Sequence, residues 1–148
     1  MKKFQFRLQR VLKLREANEK LKLGELGREQ QRLMDEQTRL ELFQGEKELQ
    51  IRETRAVREQ PFSVWAQGIN HRYLQRIGRV VEYQQTRVNE QKSAVEEARV
   101  TYTEARRETR VLEMLRDKKK EEWTREVLSE EAKELDEVGS RRFAEDIK

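Results

Sequence analysis

Residues 60–77 read QPFSVWAQGINHRYLQRI and gather the rarest residues of an otherwise polar chain. Pro61 is the only proline of the chain, and His71 is the only histidine. A proline ring removes a backbone N–H donor and clashes with the preceding helical turn, and the residue before a proline avoids the helical region. The stretch therefore predicts a break near residue 60, between two helical segments.

The composition favours long helices over a thick globular core. The chain has 148 residues, of which 34% are hydrophobic and 42% are charged, whereas an average soluble domain has about 45–50% apolar and about 25% charged residues. Disordered chains usually combine low hydrophobicity with a large net charge and many Pro, Ser and Gly residues. Here 33 basic residues nearly balance 29 acidic ones, and Leu, Arg, Glu, Lys and Gln dominate. Because these residues are good helix formers, we expect a thin helical structure.

The break defines the predicted domain organisation. Ser63 is a suitable N-cap for the second helix, and the pair Gly139-Ser140 is its expected stop. The predicted domain is a single coiled-coil hairpin over residues 1–148, with a first helix at about 5–58, a turn at about 59–63, a second helix at about 64–138 and a mobile tail at about 139–148.

The second helical segment has the clearest periodicity. Its seam residues alternate at spacings of three and four, which is the spacing of a coiled coil. Apolar residues hold most of the seam from residue 77 to residue 112, and charged residues follow. The two rows are Ile77, Gln84, Gln91, Ala98, Ala105, Leu112 and Lys119, and Val81, Val88, Val95, Tyr102, Thr109, Arg116 and Trp123.

The first helical segment is less regular and needs one partner helix. Helix connections of about 2–8 residues are ordinary, so the second helix can fold back on the first. We therefore predict an all-α fold, a long antiparallel two-helix coiled coil. The expected rows of the first helix are Leu26, Leu33 and Leu40, and Leu23, Gln30, Gln37, Gln44 and Ile51.

The second helix is predicted to be longer than the first, so its end overhangs. The start of the chain then lies beside the residues near 117, and the residues beyond have no intramolecular partner. Two interpretations stay open, fraying of a polar helix end or a projecting rod that inserts into a partner. The overhang carries the basic run 118–120 and the residues Trp123, Val127, Leu128, Leu135 and Val138.

The aromatic residues at the midpoint allow two interpretations as well. Pro61, Phe62 and Trp65 are expected to build the tip of the hairpin and to serve the fold. The apolar arc of Tyr73, Ile77, Val80 and Val81 is wider than one seam requires. It indicates either a locally thicker core or an exposed protein-binding patch.

Several function classes lack support in the sequence. The chain has no cysteine and one histidine, and it has no Gly-Lys-Ser/Thr phosphate-binding motif. The carboxylates of a thin hairpin face water rather than a cleft that would shift their pKa values into a catalytic range. No apolar run is long enough to cross a membrane, and the start lacks the apolar core of a signal peptide. We expect no enzyme activity, no cofactor, no metal and a cytoplasmic location.

A generic coiled-coil scaffold and a nucleic-acid-binding helical hairpin are the alternative functions. The isoelectric point of about 9.4 favours nucleic acid. The interleaving of acidic and basic residues opposes it, because no single-signed stripe accumulates. Residues 6–15, FRLQRVLKLR, are the main exception. We expect no nucleic-acid partner.

Two stretches carry a family resemblance. Residues 4–16, FQFRLQRVLKLRE, and residues 73–88, YLQRIGRVVEYQQTRV, together with the length and the two-helix heptad layout, resemble the FliJ family of the bacterial flagellar type III export apparatus. The resemblance covers essentially the whole chain. It implies an antiparallel coiled coil similar to the central stalk of rotary ATPases.

The resemblance also implies partners and sites. The family is thought to insert its chain termini into the hexameric ring of the flagellar export ATPase, to bind the cytoplasmic domain of the export gate membrane protein, and to cycle export chaperones. These partners would place the chain at the inner face of the cell membrane. The implied gate-binding residues are Tyr73, Ile77, Val80 and Gln84, of which Gln84 stands where a relative has histidine. For the ATPase ring, we expect contacts from the basic residues of the two ends: Arg7, Arg10, Lys13, Arg15, Lys118, Lys119 and Arg125.

Overall fold

Two α-helices make up the fold. The computed structural model describes residues 3–61 and 63–145, with side chains up to residue 143. Helix α1 is Gln9–Arg58 and helix α2 is Val64–Glu145, and the described residues contain no strand. The predicted all-α antiparallel coiled-coil fold is confirmed.

The break between the helices lies at the proline. The Gln60 backbone N–H donates to the Val57 carbonyl oxygen at 3.2 Å, which closes the last turn of α1. The Gln67 backbone N–H donates to the Ser63 carbonyl oxygen, also at 3.2 Å, so Ser63 supplies the first acceptor of α2. Pro61 lies between these two turns. Phe62, which was expected to help build the tip, lies outside the described residues.

The outer bounds of the two helices differ from the prediction. Helix α1 begins at Gln9 rather than near residue 5. The expected stop of α2 at residue 138 is wrong, since the helix continues through Gly139 to Glu145. Gly139 has no positive φ, and one glycine costs a helix only about 1 kcal/mol relative to alanine. Good helix formers on both sides of Gly139 outweigh that cost.

The contacts of the chain divide into two compact units. The turn unit is Leu21–Thr103. The terminal unit joins the residues up to Lys20 with those from Glu104 onward. Each unit contains part of α1 and part of α2, packed side by side, whereas the sequence predicts a single domain.

The seam of the turn unit confirms the rows predicted for α2. Ile77, Gln84 and Val88 are buried, and the remaining predicted positions are half-buried: Val81, Gln91, Val95, Ala98 and Tyr102. These side chains close a single narrow stripe. The seam is therefore a thin core made of two heptad rows on α2.

One of the two rows predicted for α1 is right. Leu26 and Leu40 are buried and Leu33 is half-buried. The companion row is wrong because it is displaced by one residue, and Leu23, at 50% exposed, lies outside the seam. Polar side chains occupy most of the true positions, so hydrophobicity alone misplaces the row. The predicted Gln30, Gln37 and Gln44 are exposed and Ile51 is half-buried, while the true row is Lys22, Glu29, Glu36, Phe43 and Gln50.

The terminal unit has its own small core. Leu12 is fully buried, and Ala105 and Thr109 are buried on α2. The Phe4 ring packs on the Trp123 ring with centroids 5.9 Å apart and planes tilted by 54°. The expectation that Trp123 lies on an unpartnered overhang is therefore wrong. The chain before α1 runs along α2 and covers this ring.

Candidate partner-binding surfaces

Two of the four residues implied for gate binding lie inside the turn unit's seam. Ile77 is 6% exposed and Gln84 is 5% exposed. For Ile77 the interpretation as part of an exposed protein-binding patch is wrong, because its heptad position, in the row predicted for the α2 seam, points it at α1. Sequence spacing alone does not separate the two overlapping faces at this point of α2.

Gln84 forms a polar layer across the seam. Its side-chain amide donates to the Glu36 backbone carbonyl oxygen at 3.0 Å and to the Glu36 carboxylate. Arg87 also reaches that carboxylate, at 3.1 Å, and Arg39 reaches it at 3.5 Å. The hydrogen bond from Gln84, followed by the charges of Arg87 and Arg39, lowers the pKa of Glu36, while partial desolvation opposes the shift. The glutamate is therefore held charged at the seam.

A second polar layer lies one heptad away. The Gln91 side-chain amide donates to the Glu29 backbone carbonyl oxygen at 3.1 Å and to the Glu29 carboxylate at 2.5 Å. Arg32 pairs with the other oxygen of that carboxylate at 2.7 Å. The two layers share one chemistry, in which a glutamine of α2 satisfies a glutamate of α1.

Tyr73 and Val80 lie on an accessible stripe beside the seam. Tyr73 is 36% exposed, and its hydroxyl donates to the Glu46 carboxylate at 3.2 Å. Partial desolvation and the hydrogen bond to Glu46 raise the pKa of Tyr73. Val80 is half-buried. Two further exposed apolar residues, Ile69 and Tyr83, fall on the same helical face.

Ile69 and Tyr83 are missing from the sequence-based site. The signal for them is their spacing, because residues 69, 73, 80 and 83 follow the i, i+4, i+11 and i+14 positions of one helix face. The accessible apolar stripe of the turn unit is thus defined by Ile69, Tyr73, Val80 and Tyr83. We call it the midpoint stripe.

Trp65 does not pack into the hairpin. Trp65 is 76% exposed, and Val57 of α1 is exposed too. The expectation that Trp65 serves the fold is wrong. The heptad rows, extended back along α2, reach the half-buried Leu74 and Gln67. Trp65 falls in neither row and lies on the opposite side of the helix from the seam, so α1 does not cover it.

The basic residues expected at the ATPase ring lie on the surface of the terminal unit. All seven are exposed. Some have ion-pair partners: Arg15 pairs with Glu108, Lys119 with Glu122 at 2.7 Å, and Arg125 with Glu121 at 4.0 Å. Arg7 and Arg10 line a depression together with Arg116, Asp117 and Lys120. The depression has an excess of positive charge.

An aromatic groove lies next to this depression. The chain before α1 contributes Phe4, Phe6 and Leu8 to it, and α2 contributes Leu115 and Trp123. Lys119, Glu122 and Glu126 line its rim. The Lys119 ammonium donates a hydrogen bond to the Glu122 carboxylate, which partly neutralises the positive charge of Lys119. The same hydrogen bond raises the pKa of Lys119.

The last turns of α2 expose apolar side chains. Leu128, Leu135 and Val138 are 48–72% exposed, and they follow the i, i+7 and i+10 positions of one helical face. Phe143 is also exposed. These side chains lie off the two heptad rows, whose next positions after Trp123 are Glu126 and Glu130, and no described residue of the terminal unit covers them.

Other kinds of site find no support in the described parts of the chain. Between residues 3 and 145, apart from position 62, no group of three His, Cys, Asp or Glu side chains could hold a metal ion. In the same residues no helix is long and apolar enough to cross a membrane. The features that stand out are surfaces for macromolecular partners.

Comparison with known proteins identifies the family. Residues 4–148 match the family described as "Flagellar FliJ protein". The comparisons with curated proteins and with solved structures give no match. The family match covers both helices and both of the stretches that carry the resemblance. Because the match covers nearly the whole chain, the chain belongs to the flagellar FliJ protein family, whose members are components of the bacterial flagellar type III protein export apparatus.

Proposed function

We propose that this chain is a non-enzymatic stalk and coupling protein of flagellar export. In this role it links the hexameric ring of the export ATPase to the cytoplasmic domain of the export gate membrane protein and cycles export chaperones. It works in the cytoplasm, at the inner face of the cell membrane, where its partners hold it. Family membership supports a place in the export apparatus, and the two surfaces described above support the two partners.

The end of α2 is the single observation that carries the proposal. Leu128, Leu135 and Val138 form an exposed apolar face on a helix that continues beyond the Phe4–Trp123 contact. Burying such a face stabilises a complex by about 25 cal/mol per Å² of apolar surface removed from water. A helix end of this kind suits insertion into the central opening of a ring of subunits.

Arg7 and Arg10 support the same partner. Both are exposed beside Arg116 and Lys120, with Asp117 as the one acidic residue lining the depression. A patch with this charge suits an acidic rim on the ATPase ring. Charge complementarity of this kind mainly accelerates association and depends on ionic strength.

The midpoint stripe supports the gate as the second partner. Tyr73 and Val80 are the accessible members of the implied gate-binding set, and Ile69 and Tyr83 extend it. Tyrosines are frequent among the residues that dominate binding energies. Ile77 and Gln84 act on the gate indirectly in this proposal, because they hold the stripe in place from within the seam.

Stimulation of the export ATPase tests the stalk role. The variant Arg7→Glu/Arg10→Glu reverses the charge of the depression without touching the seam, so it should weaken stimulation, with a larger effect at low salt. Arg107→Glu is the matched control, since Arg107 is an exposed arginine of the same unit. Equal stimulation by the double variant and the control would contradict the assignment of the ring to this end.

Calorimetric titration with the cytoplasmic domain of the gate tests the second contact. Tyr73→Ala should weaken binding by at least roughly tenfold, since truncating a central interface aromatic often costs about 2 kcal/mol or more. His71→Ala is the control, because His71 is exposed on the same helix but off the stripe. A gate affinity that is unaltered by Tyr73→Ala would move the gate contact elsewhere.

A further inference from the structure

A second exposed face, with a leucine at each end and charged residues between them, runs along α1 of the turn unit on the side opposite the seam. Leu21 is 55% exposed and Leu42 is 68% exposed. Gly24 and Gly45 each follow a leucine by three residues. A Cβ atom built on Gly45 would meet nothing within 4 Å, and one built on Gly24 would meet only the end of the Arg28 side chain, at 3.9 Å. Steps of three, four and seven residues are those of a coiled-coil face. This face therefore has the spacing of a helix-pairing surface and is open.

The charges on this face are arranged with twofold symmetry. Arg28 lies seven residues after Leu21, and Asp35 lies seven residues before Leu42. The four residues are placed symmetrically about a point between residues 31 and 32, so that each leucine has a leucine at the equivalent position and Arg28 has Asp35. Two copies aligned antiparallel about that point place Leu21 opposite Leu42 and Arg28 opposite Asp35.

We propose that this face binds a second copy of the chain, antiparallel along α1, with the twofold axis near residues 31 and 32. This inference concerns self-association and does not rest on the proposed stalk function. A twofold interface uses the same patch on both copies. Each of its contacts therefore occurs twice, which gives four leucines and two Arg–Asp pairs.

The direction of the side chains fits the pairing. Long side chains in a helix lean toward its N-terminus. In an antiparallel pair, Leu21 therefore leans toward Gly45 of the second copy, and Leu42 leans toward Gly24 of that copy. A glycine permits close approach of the two backbones. Gly45 is open, and the flexible Arg28 side chain that lies near Gly24 clears it when it pairs with Asp35 of the second copy.

The electrostatics favour this orientation over a parallel one. Among the described residues, neither Arg28 nor Asp35 has a salt-bridge partner, and the Asp35 carboxylate accepts only a hydrogen bond from the Gln31 amide at 3.1 Å. Parallel pairing would oppose arginine to arginine and aspartate to aspartate, which is unfavourable. Near the axis, Met34 is 59% exposed and Arg32 is already paired with Glu29 at 2.7 Å. Both residues flank the proposed contact, and neither adds an unpaired charge to it.

The interface is short, so the dimer should be weak and concentration-dependent. Sedimentation equilibrium of the purified chain, followed into the high micromolar range, measures its dissociation constant. Arg28→Asp and Asp35→Arg each create two like-charge contacts, and each should raise the dissociation constant at least roughly tenfold. Arg107→Asp is the control on the outer face of α2 and should leave it unchanged. All three side chains are exposed, and circular dichroism checks that each variant stays helical.

A mixture of the two charge variants provides the decisive arm. The heterodimer of Arg28→Asp with Asp35→Arg restores both opposite-charge pairs, so the equimolar mixture should associate like the unmodified chain. A chain that remains monomeric at every concentration would overturn the proposal. So would variants that dimerise as well as the unmodified chain.

Cross-linking checks the orientation. The chain has no cysteine, so an introduced thiol reports its own position. Under mild oxidation, Leu21→Cys mixed with Leu42→Cys should give a covalent dimer of the two variants, and Leu21→Cys alone should not. Efficient cross-linking of Leu21→Cys to itself would show a parallel arrangement and contradict the proposal.

Discussion

Gln84 of α2 donates its side-chain amide to the backbone carbonyl oxygen of Glu36 in α1, at 3.0 Å. Gln91 repeats this relationship with Glu29 one heptad away, at 3.1 Å. The two layers fix the register of the turn unit, because a slip of one heptad in either direction leaves one glutamate opposite an apolar residue, Glu36 opposite Ile77 or Glu29 opposite Ala98. A buried polar pair often costs stability and specifies register in a coiled coil.

Replacement of Gln84 should therefore lower stability more than its polarity suggests. Gln84→Ala removes both hydrogen bonds and leaves a part-buried carboxylate with fewer donors, and leaving a buried polar group without its partner is costly. We expect the melting temperature to fall by at least a few degrees. Thermal melts followed by circular dichroism measure the change. Gln85→Ala is the matched control, because Gln85 is half-buried beside the seam and its amide bonds to Asn89 of its own helix rather than across to α1. An equal loss in both variants would contradict the role of the layer.

The pKa of Glu36 predicts a dependence of stability on pH. Because the pKa lies below its ordinary value of 4.5 in the folded chain, the unfolded chain binds a proton more readily. The stabilisation is complete above the ordinary pKa and is lost as the pH falls through the folded-state value. We expect the melting temperature to decrease between about pH 6 and pH 3, and Glu36→Gln to flatten part of that decrease.

Glu96 provides the comparison for this pH effect. Its hydrogen bond from Arg99 also lowers its pKa, but the carboxylate side chain is 57% exposed. Exposed ion pairs contribute little to stability. Glu96→Gln should therefore leave the acid transition nearly unchanged, and an effect as large as that of Glu36→Gln would show that Glu36 has no special part in it.

The sequence predicts the fold from a few residues. Pro61 locates the break, and the rows through Ile77 and Val88 define the α2 seam, because apolar residues at heptad spacing have one stable arrangement. The companion row of α1 could not be predicted in the same way. Its members include Glu29 and Glu36, which hydrophobicity assigns to the solvent and which are accommodated only because glutamines face them across the seam.

The candidate sites were harder to predict than the fold, for a related reason. Two faces of α2 overlap at residues 73–84, and only the position of α1 decides which residues are covered. Ile77 falls both in a predicted seam row and in the implied gate-binding set, and the structure buries it in the seam, whereas the exposed Tyr83 belongs to the midpoint stripe. Trp65 shows the opposite error, since a large aromatic residue near a turn favours a core position, but Trp65 lies off the heptad rows and is exposed.

Ile77 and Tyr73 should separate stability from binding. Ile77→Ala truncates a buried side chain and should cost about 2–4 kcal/mol of unfolding free energy. Tyr73→Ala removes a partly exposed ring and should lower the unfolding free energy much less. Urea denaturation of both variants measures the difference. If Tyr73→Ala proves as destabilising as Ile77→Ala, Tyr73 belongs to the core and the midpoint stripe loses its central residue.

Trp65 should be dispensable for folding. The residue is 76% exposed, and surface substitutions away from special features usually change stability by less than about 0.5 kcal/mol. Trp65→Ala should therefore melt within about a degree or two of the unmodified chain. Denaturation monitored by circular dichroism checks this result. A large loss of stability would restore the hairpin-tip role that the sequence indicated.

The contact between Phe4 and Trp123 can be tested by fluorescence, because the chain has two tryptophans. In a Trp65→Phe background, Trp123 is the only strong emitter, and the Phe4 ring at 5.9 Å shields it from water. Phe4→Ala should shift its emission to longer wavelength and make quenching by acrylamide more efficient. The loss of the ring pair should cost about 0.5–1.5 kcal/mol. Val11→Ala, an exposed position of the same unit, should change neither property. If the Phe4 variant emits and is quenched like the control, the chain before α1 does not cover Trp123 in solution, and the aromatic groove beside it is not formed.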